Sequence, residues 1–292
     1  MREMLRRHWT TATKAARRRW LQLSLACLLA PTAVAADDGA TLKPAYRLGV
    51  FPYLPALTID RLYGPLADGF SLQLDRMVKL RTKSTFENFA EAIDDESYDI
   101  LFVHPFFFVD AVDHHGYLPI ARLEKPLKAV LVTMADAEPR DLGDLAGLTV
   151  GLPPKLAAVS KLIKAALMVE GMRPGLDVGI RHFRNGASCL QAVATGAVAA
   201  CGVPSFLLEE VEAFASRPLR ILFEAPPVSN FAFAVHSRVP ARDRELLKQV
   251  VLSLGDGGVQ GFGRDMHFVP IGGEDYASVR DQTTRLQTLA QR

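Results

Sequence analysis

Few residues in this chain combine types and spacing that could carry reactive chemistry. His114 and His115 stand side by side, with Asp110 and Asp113 just before them, all metal-ligating types. Adjacent residues project about 100° apart on a helix and to opposite faces on a strand, so the two rings cannot share an ion without a bend in the chain. No metal site is expected there. Cys189 and Cys201 sit among Ala, Val and Gly. They read either as a disulfide, contributing about 3 kcal/mol in an oxidising compartment, or as two buried free thiols. No Cys-x-x-Cys or Cys/His spacing marks zinc. The run from Gly255 to Gly263 is glycine-rich, but its offsets miss GxGxxG and no strand precedes it. It reads as a loop between C-terminal helices. Neither GxSxG nor HExxH occurs, so the common hydrolase signatures are missing. These patterns supply no catalytic set, and no cofactor is expected.

From Pro44 onward, short β-rich runs alternate with helical patterns, which argues an α/β architecture with parallel strands. Tyr46–Phe51 and Leu72–Leu80 read as strands, with Ile59, Leu62, Tyr63 and Leu66 at helical spacing between them. Ser84-Thr85-Phe86-Glu87 forms a capping box, and Phe86, Phe89, Ala90 and Ile93 then recur along one helix face. A buried strand follows at Tyr98–Val103, then an apolar helix near Phe106–Val112. His104 ends that strand beside Pro105, and Phe106, Phe107 and Phe108 read as core.

A second set begins after Lys128–Thr133. Its strand Leu148–Leu152 leads into a helix that buries Leu156, Val159, Leu162, Ile163, Ala166 and Leu167 and stops at Gly171. Val178–Phe183, Val198–Val203 and Leu219–Glu224 read as further strands, with a helix around Ser188–Ala194. Pro226-Pro227 is a stiff link, Phe231–Val235 a late strand, and the rest reads as helical. The expected organisation is two α/β lobes with the chain crossing between them: residues 44–130 plus 229–292 in lobe 1, and 131–228 in lobe 2.

Residues 1–35 carry seven Arg/Lys against Glu3 alone. Taking them from 34 basic and 32 acidic residues leaves 27 and 31, a net of −4 for the body. A mildly acidic body lacks the basic footprint of nucleic-acid binding, so nucleic acid is not expected as a partner. Within that basic segment, Leu21–Ala30 is a short apolar run followed by Pro31 and Ala33-Val34-Ala35, the order of a cleaved secretory signal. The run is roughly half the ~20 residues of a spanning helix, which disfavours an uncleaved anchor. Arg17-Arg18-Arg19-Trp20-Leu21 loosely fits a twin-arginine signal, leaving the export route open. Cys27 has Ser24 where a lipobox needs Leu, so lipidation is not expected. The expected location is the periplasm.

Five stretches, in order, carry a family resemblance. They are Gly49-Val50-Phe51-Pro52-Tyr53; Ser84-Thr85-x-x-x-Phe89 leading to Tyr98-Asp99-Ile100 and His104-Pro105; and Gly116-Tyr117-Leu118-Pro119-Ile120-Ala121. Then come Leu142-x-x-Leu145-x-Gly147-Leu148-Thr149-Val150, and Ala192-Val193-x-x-Gly196 with Cys201-Gly202-Val203 and Phe268-Val269-Pro270. Over residues 46–277 the chain resembles the periplasmic solute-binding proteins of phosphate/phosphite/phosphonate ABC transporters, which have the type II binding-protein fold. The resemblance implies two lobes joined by crossing strands and a small polar, anionic solute in the cleft between them. It also implies a monomer that delivers the solute to a membrane ABC permease. Two other readings stay open: a sensor docking on a membrane histidine kinase, and an enzyme on the same bilobed fold, which the export signal disfavours.

For the site, the resemblance points to Phe51, Tyr53, Ser84, Thr85 and His104 in the first lobe and to Lys155, Asn185, Gly186 and Ser188 in the second. Helix N-termini and loop amides aimed into the cleft would hold an oxyanion without a metal. The second lobe departs from the family. Where phosphonate binders place a Ser/Thr-rich turn, this chain has Pro153-Pro154-Lys155-Leu156-Ala157-Ala158. The family's usual histidine position falls on Gly186, and the acidic residue expected after Gly196 is replaced by Val198 or Ala199. Loss of hydroxyls with aromatics retained hints at a ligand less charged than a phosphonate.

Overall fold

The computed structural model describes residues 43–208, 218–256 and 266–290. The export signal, the twin-arginine pattern, Cys27 and nearly all of the glycine-rich run lie outside the described residues. No helix among the described residues is long and apolar enough to cross a membrane.

Two mixed sheets organise the chain. The first contains β1 (Tyr46–Val50), β2 (Val78–Arg81), β3 (Ile100–Val103), β4 (Tyr117–Leu123), β10 (Ala232–His236) and β11 (Phe268–Val269), in the order β11-β4-β10-β3-β1-β2. The second contains β5 (Ala129–Met134), β6 (Thr149–Leu152), β7 (Gly179–His182), β8 (Ala200–Pro204) and β9 (Leu219–Glu224), in the order β7-β6-β8-β5-β9. In each sheet a parallel trio, β2-β1-β3 or β7-β6-β8, meets strands that run the other way. The expected parallel strands are present in both trios, and the antiparallel pairings arise where β10 returns from the second sheet beside β3 and where β5 enters the second sheet beside β8. A strand arriving from the opposite lobe runs against the local βα repeats.

The chain crosses between sheets twice, between β4 and β5 and between β9 and β10. Leu127 and Val228 exchange backbone hydrogen bonds of 2.8 and 3.0 Å at the crossing. Asn230 adds a side-chain bond to the Lys125 carbonyl at 2.9 Å, and the Tyr276 hydroxyl donates to the Asn230 carbonyl at 2.6 Å. The two crossing segments are thus hydrogen-bonded to each other where the chain passes between the sheets.

Local chemistry accounts for the helices that border the cleft. In α1 (Ala56–Leu74) Ile59, Tyr63, Leu66, Phe70 and Leu74 are buried at helical spacing. The strand expected from Leu72 is therefore overturned: Leu72–Leu74 are the last turn of α1, which ends on left-handed Asp75, and β2 starts only at Val78. α2 (Phe86–Asp94) is capped by Thr85 rather than Ser84, because the Asn88 amide donates to Thr85 Oγ1 at 3.1 Å. In α3 (Pro105–His114) all three of Phe106, Phe107 and Phe108 are buried. α4 (Ala158–Val169) buries Val159, Leu162, Ile163 and Leu167 but begins without a side-chain cap. α5 (Gly186–Ala194) is capped by Asn185, whose Oδ1 accepts from the Ser188 amide at 2.9 Å.

Two more helices follow β10, α6 (Ala241–Leu252) and α7 (Ala277–Ala290), with β11 interrupting the helical stretch expected there. α7 packs against α3 of the first lobe and α4 of the second, and Arg280 grips Asp113 of α3 through two bonds of 2.7 Å.

The two cysteines are joined. Cys189 on α5 and Cys201 on β8 form a disulfide with their Cα atoms 5.9 Å apart. Gly151 on β6 makes room for it, since a Cβ there would lie 2.6 Å from Cys189 Sγ.

Candidate functional site

Between the two sheets lies a cavity of about 590 Å³. From the first lobe it is walled by Phe51, Tyr53 and Leu54 after β1, by Phe86 opening α2, by His104 after β3, and by Phe231 on the returning chain. From the second lobe it is walled by Pro153, Pro154 and Ala157 to Val159, by Arg184 to Ala187 at the start of α5, and by Val203, Pro204, Phe206 and Leu207.

Five of the nine expected residues come together here: Phe51, Tyr53, His104, Asn185 and Gly186. The other four do not line the cavity. Ser84 and Thr85 are exposed and engaged by Asn88, which donates to Ser84 Oγ at 3.2 Å and to Thr85 Oγ1. Lys155 is exposed on the turn ahead of α4, which begins three residues later than its position suggested. Ser188 spends its amide and hydroxyl on Asn185 within the cap of α5. Replacing Thr85 by Ala is therefore expected to cost about 1 kcal/mol through the lost cap and to leave solute affinity unchanged. Thermal denaturation and titration of one sample check both halves, and weakened binding would return Thr85 to the site.

The first-lobe wall is aromatic. Phe51 stacks on Tyr53 with ring centroids 4.7 Å apart and meets Phe231 edge-on at 5.0 Å. Phe86 and Phe231 are the wall residues that sequence reasoning missed. Each stands at the edge of a recognised element, Phe86 just inside a cap and Phe231 just ahead of β10. The Tyr53 hydroxyl is shared with Tyr63 at 2.7 Å.

His104 is the polar group set deepest in that wall, only 1% exposed. Its ring stacks on Phe107 at 4.1 Å and meets Phe51 edge-on at 5.3 Å. Nδ1 accepts the Phe107 amide proton at 3.3 Å and so caps α3. Nε2 has no hydrogen-bond partner among the described residues. Burial, reinforced by the positive charge of Lys161, holds the ring's pKa well below the usual histidine range. Burial also lowers the pKa of Lys161, whose ammonium lies 4.9 Å above the Phe106 ring.

These surroundings set an acid sensitivity. A histidine whose folded pKa is depressed binds fewer protons folded than unfolded below about pH 6.5, so stability is lost as the pH falls through the unfolded value. His236, also lowered chiefly by burial, acts in the same direction. The unfolding free energy is expected to decline from pH 7 to pH 5, with a limiting slope of about 1.4 kcal/mol per pH unit for each neutral-buried histidine. Urea denaturation at stepped pH measures this, and a flat profile down to pH 5 refutes it.

The described residues hold one cluster of metal-ligating types. Asp94, Asp110 and His115 bring their ligand atoms within 4.8 Å of one another, and His115 Nε2 lies 3.3 Å from Asp94 and 3.6 Å from Asp110. Of the two acids that precede the histidine pair, Asp110 belongs to this cluster, while Asp113 is held by Arg280. Asp94 lies in the preceding helix, where spacing along the chain could not reveal it. The His115 ring lies between the two carboxylates and is the partner of both.

The match to known proteins follows the same ground. The family model for the phosphonate periplasmic substrate-binding protein of ABC transporters matches residues 48–276. The chain belongs to that family. Among solved structures, PhnD1 from Prochlorococcus marinus, in complex with methylphosphonate, superposes with a TM-score of 0.71 at 14% identity, covering 83% of this chain and 98% of that one. A binding protein component of an ABC phosphonate transporter from Pseudomonas aeruginosa gives 0.68 at 14% identity, covering 84% and 87%. A Xanthomonas citri protein solved bound to ATP gives 0.72 at 12% identity, covering 85% and 99%. No curated protein sequence matches the chain significantly. The fold is that of the type II periplasmic binding proteins, and the family's members serve ABC transporters.

Proposed function

We propose that this chain is the exported solute-capture component of an ABC importer. It takes a small solute bearing at least one acceptor oxygen into the cleft, closes over it, and presents the closed form to a membrane permease from the periplasm. The observation that carries this reading is the cavity itself, because its wall is completed only by residues of both lobes. A solute touching both walls stabilises the closed arrangement, and the paired crossing segments provide the hinge.

Thermal shift of the protein purified from the periplasm tests it. The panel holds phosphate, phosphite, alkyl- and aminophosphonates, sulfonates, carboxylates and neutral polar solutes. A bound solute at 100 times its dissociation constant adds about 2.7 kcal/mol, a rise in midpoint of roughly 5–10 °C. A folded sample that shifts with no member of the panel overturns the reading.

A further inference from the structure

Resting on that reading of the cleft, we propose that its solute is an apolar-bodied monoacid, an alkyl or aryl carboxylate or sulfonate, whose acid oxygen is held by His104 Nε2–H. The imidazole argues first. Nδ1 accepts the Phe107 amide proton, so in the neutral ring the proton resides on Nε2. His104 is among the residues that line the cavity, is 1% exposed, and its Nε2 meets no acceptor among the described residues. A buried donor without a partner is costly, and an oxygen arriving with the solute removes that cost.

Charge argues next. Among the described residues, the cavity wall carries one formal charge, the exposed Arg184 at the start of α5, and no carboxylate. Lys155 does not line it, and Lys161 sits over the Phe106 ring under the influence of Asp110. One negative charge can be balanced by Arg184 together with the positive end of α4, whose uncapped first turn, Ala157 to Val159, lines the same cavity. A dianion would have to shed its water against proline, alanine and phenylalanine, with one formal charge among the described wall residues to meet it. The serine and threonine hydroxyls that three phosphonyl oxygens require are outside the wall, and the Tyr53 hydroxyl is engaged by Tyr63.

Size argues last. About 590 Å³ matches the pockets that bury drug-sized molecules. A one-carbon phosphonate would leave most of the aromatic wall in contact with water.

Isothermal titration of the periplasm-purified protein with acetate, butyrate, octanoate, octanesulfonate, methylphosphonate and phosphate is the test. Affinity is expected to rise about fourfold per methylene along the carboxylates until the cavity is filled, with octanoate or octanesulfonate at least tenfold tighter than methylphosphonate. His104→Asn keeps an oxygen for the Phe107 amide and carries its N–H donors on a shorter side chain that stops short of the Nε2 position, so it should fold normally and bind octanoate about tenfold more weakly. Tighter binding of methylphosphonate or phosphate overturns the monoacid and leaves solute capture standing. Undiminished binding by folded His104→Asn overturns the role of the imidazole. Binding of nothing here, nor in the wider thermal-shift panel, overturns both readings together.

Discussion

Asp99→Ala is expected to destabilise the protein by about 3 kcal/mol, lowering the unfolding midpoint by roughly 10 °C. Asp99 precedes β3 and is 7% exposed. Its Oδ2 accepts from the Arg47 amide on β1 at 2.8 Å, and its Oδ1 accepts from Arg238 Nε, just past β10, at 2.8 Å. Arg238 also donates to the Tyr98 and Glu96 carbonyls, while His236 reaches Glu96 at 3.0 Å. One carboxylate thus ties three neighbouring strands of the first sheet at the same edge. Removing it leaves a strand amide and a half-buried guanidinium without their acceptor, the costly way to break such a pair. Part of Arg238 is open to water, which keeps the loss at the lower end of the range for buried pairs. Thermal and urea denaturation of the variant measure it, and a loss below about 1 kcal/mol would contradict the network.

The second large effect concerns Cys189 and Cys201. Replacing both with alanine, or treating the oxidised protein with a phosphine reductant, is expected to cost about 3 kcal/mol, since the bond closes a short loop of the unfolded chain. For a body of this size that is a drop of roughly 6–12 °C in midpoint. The disulfide anchors α5 to β8, and both supply residues to the cleft wall. Reduction should therefore weaken solute binding as well as the fold. Peptide mapping without reductant checks the bond directly; free thiols at both positions, or an unchanged midpoint on reduction, would count against it.

Much of this architecture was legible because burial imposes period on sequence. The α2 face of Phe86, Phe89 and Ile93, the continuous apolar run of β3 and the buried stripe of α4 all appear where their spacing puts them. The errors arose where two periods coincide. Leu72 and Leu74 alternate as in a strand, but Leu74 also continues the helical series of Phe70 and Leu66, and the longer series prevails. In the cleft, the aromatic half was readable because Phe51, Tyr53 and His104 sit directly at strand ends. The hydroxyl half was not, because Ser84, Thr85 and Ser188 are as well suited to closing helix ends as to meeting a ligand. Only the observed partners, Asn88 and Asn185, decide between the two uses.

The last helix adds a kinetic consequence. On the proposed capture cycle, α7, which rests on both α3 and α4, would have to leave one of them as the lobes open. The Arg280–Asp113 grip keeps it on α3, so the α4 side is the one that lets go. On that reading, the residence time of a captured solute would be set partly by the detachment of a helix none of whose described residues lines the cleft. Shortening the chain ahead of Ala277 would hasten release while leaving the cleft's lining residues in place.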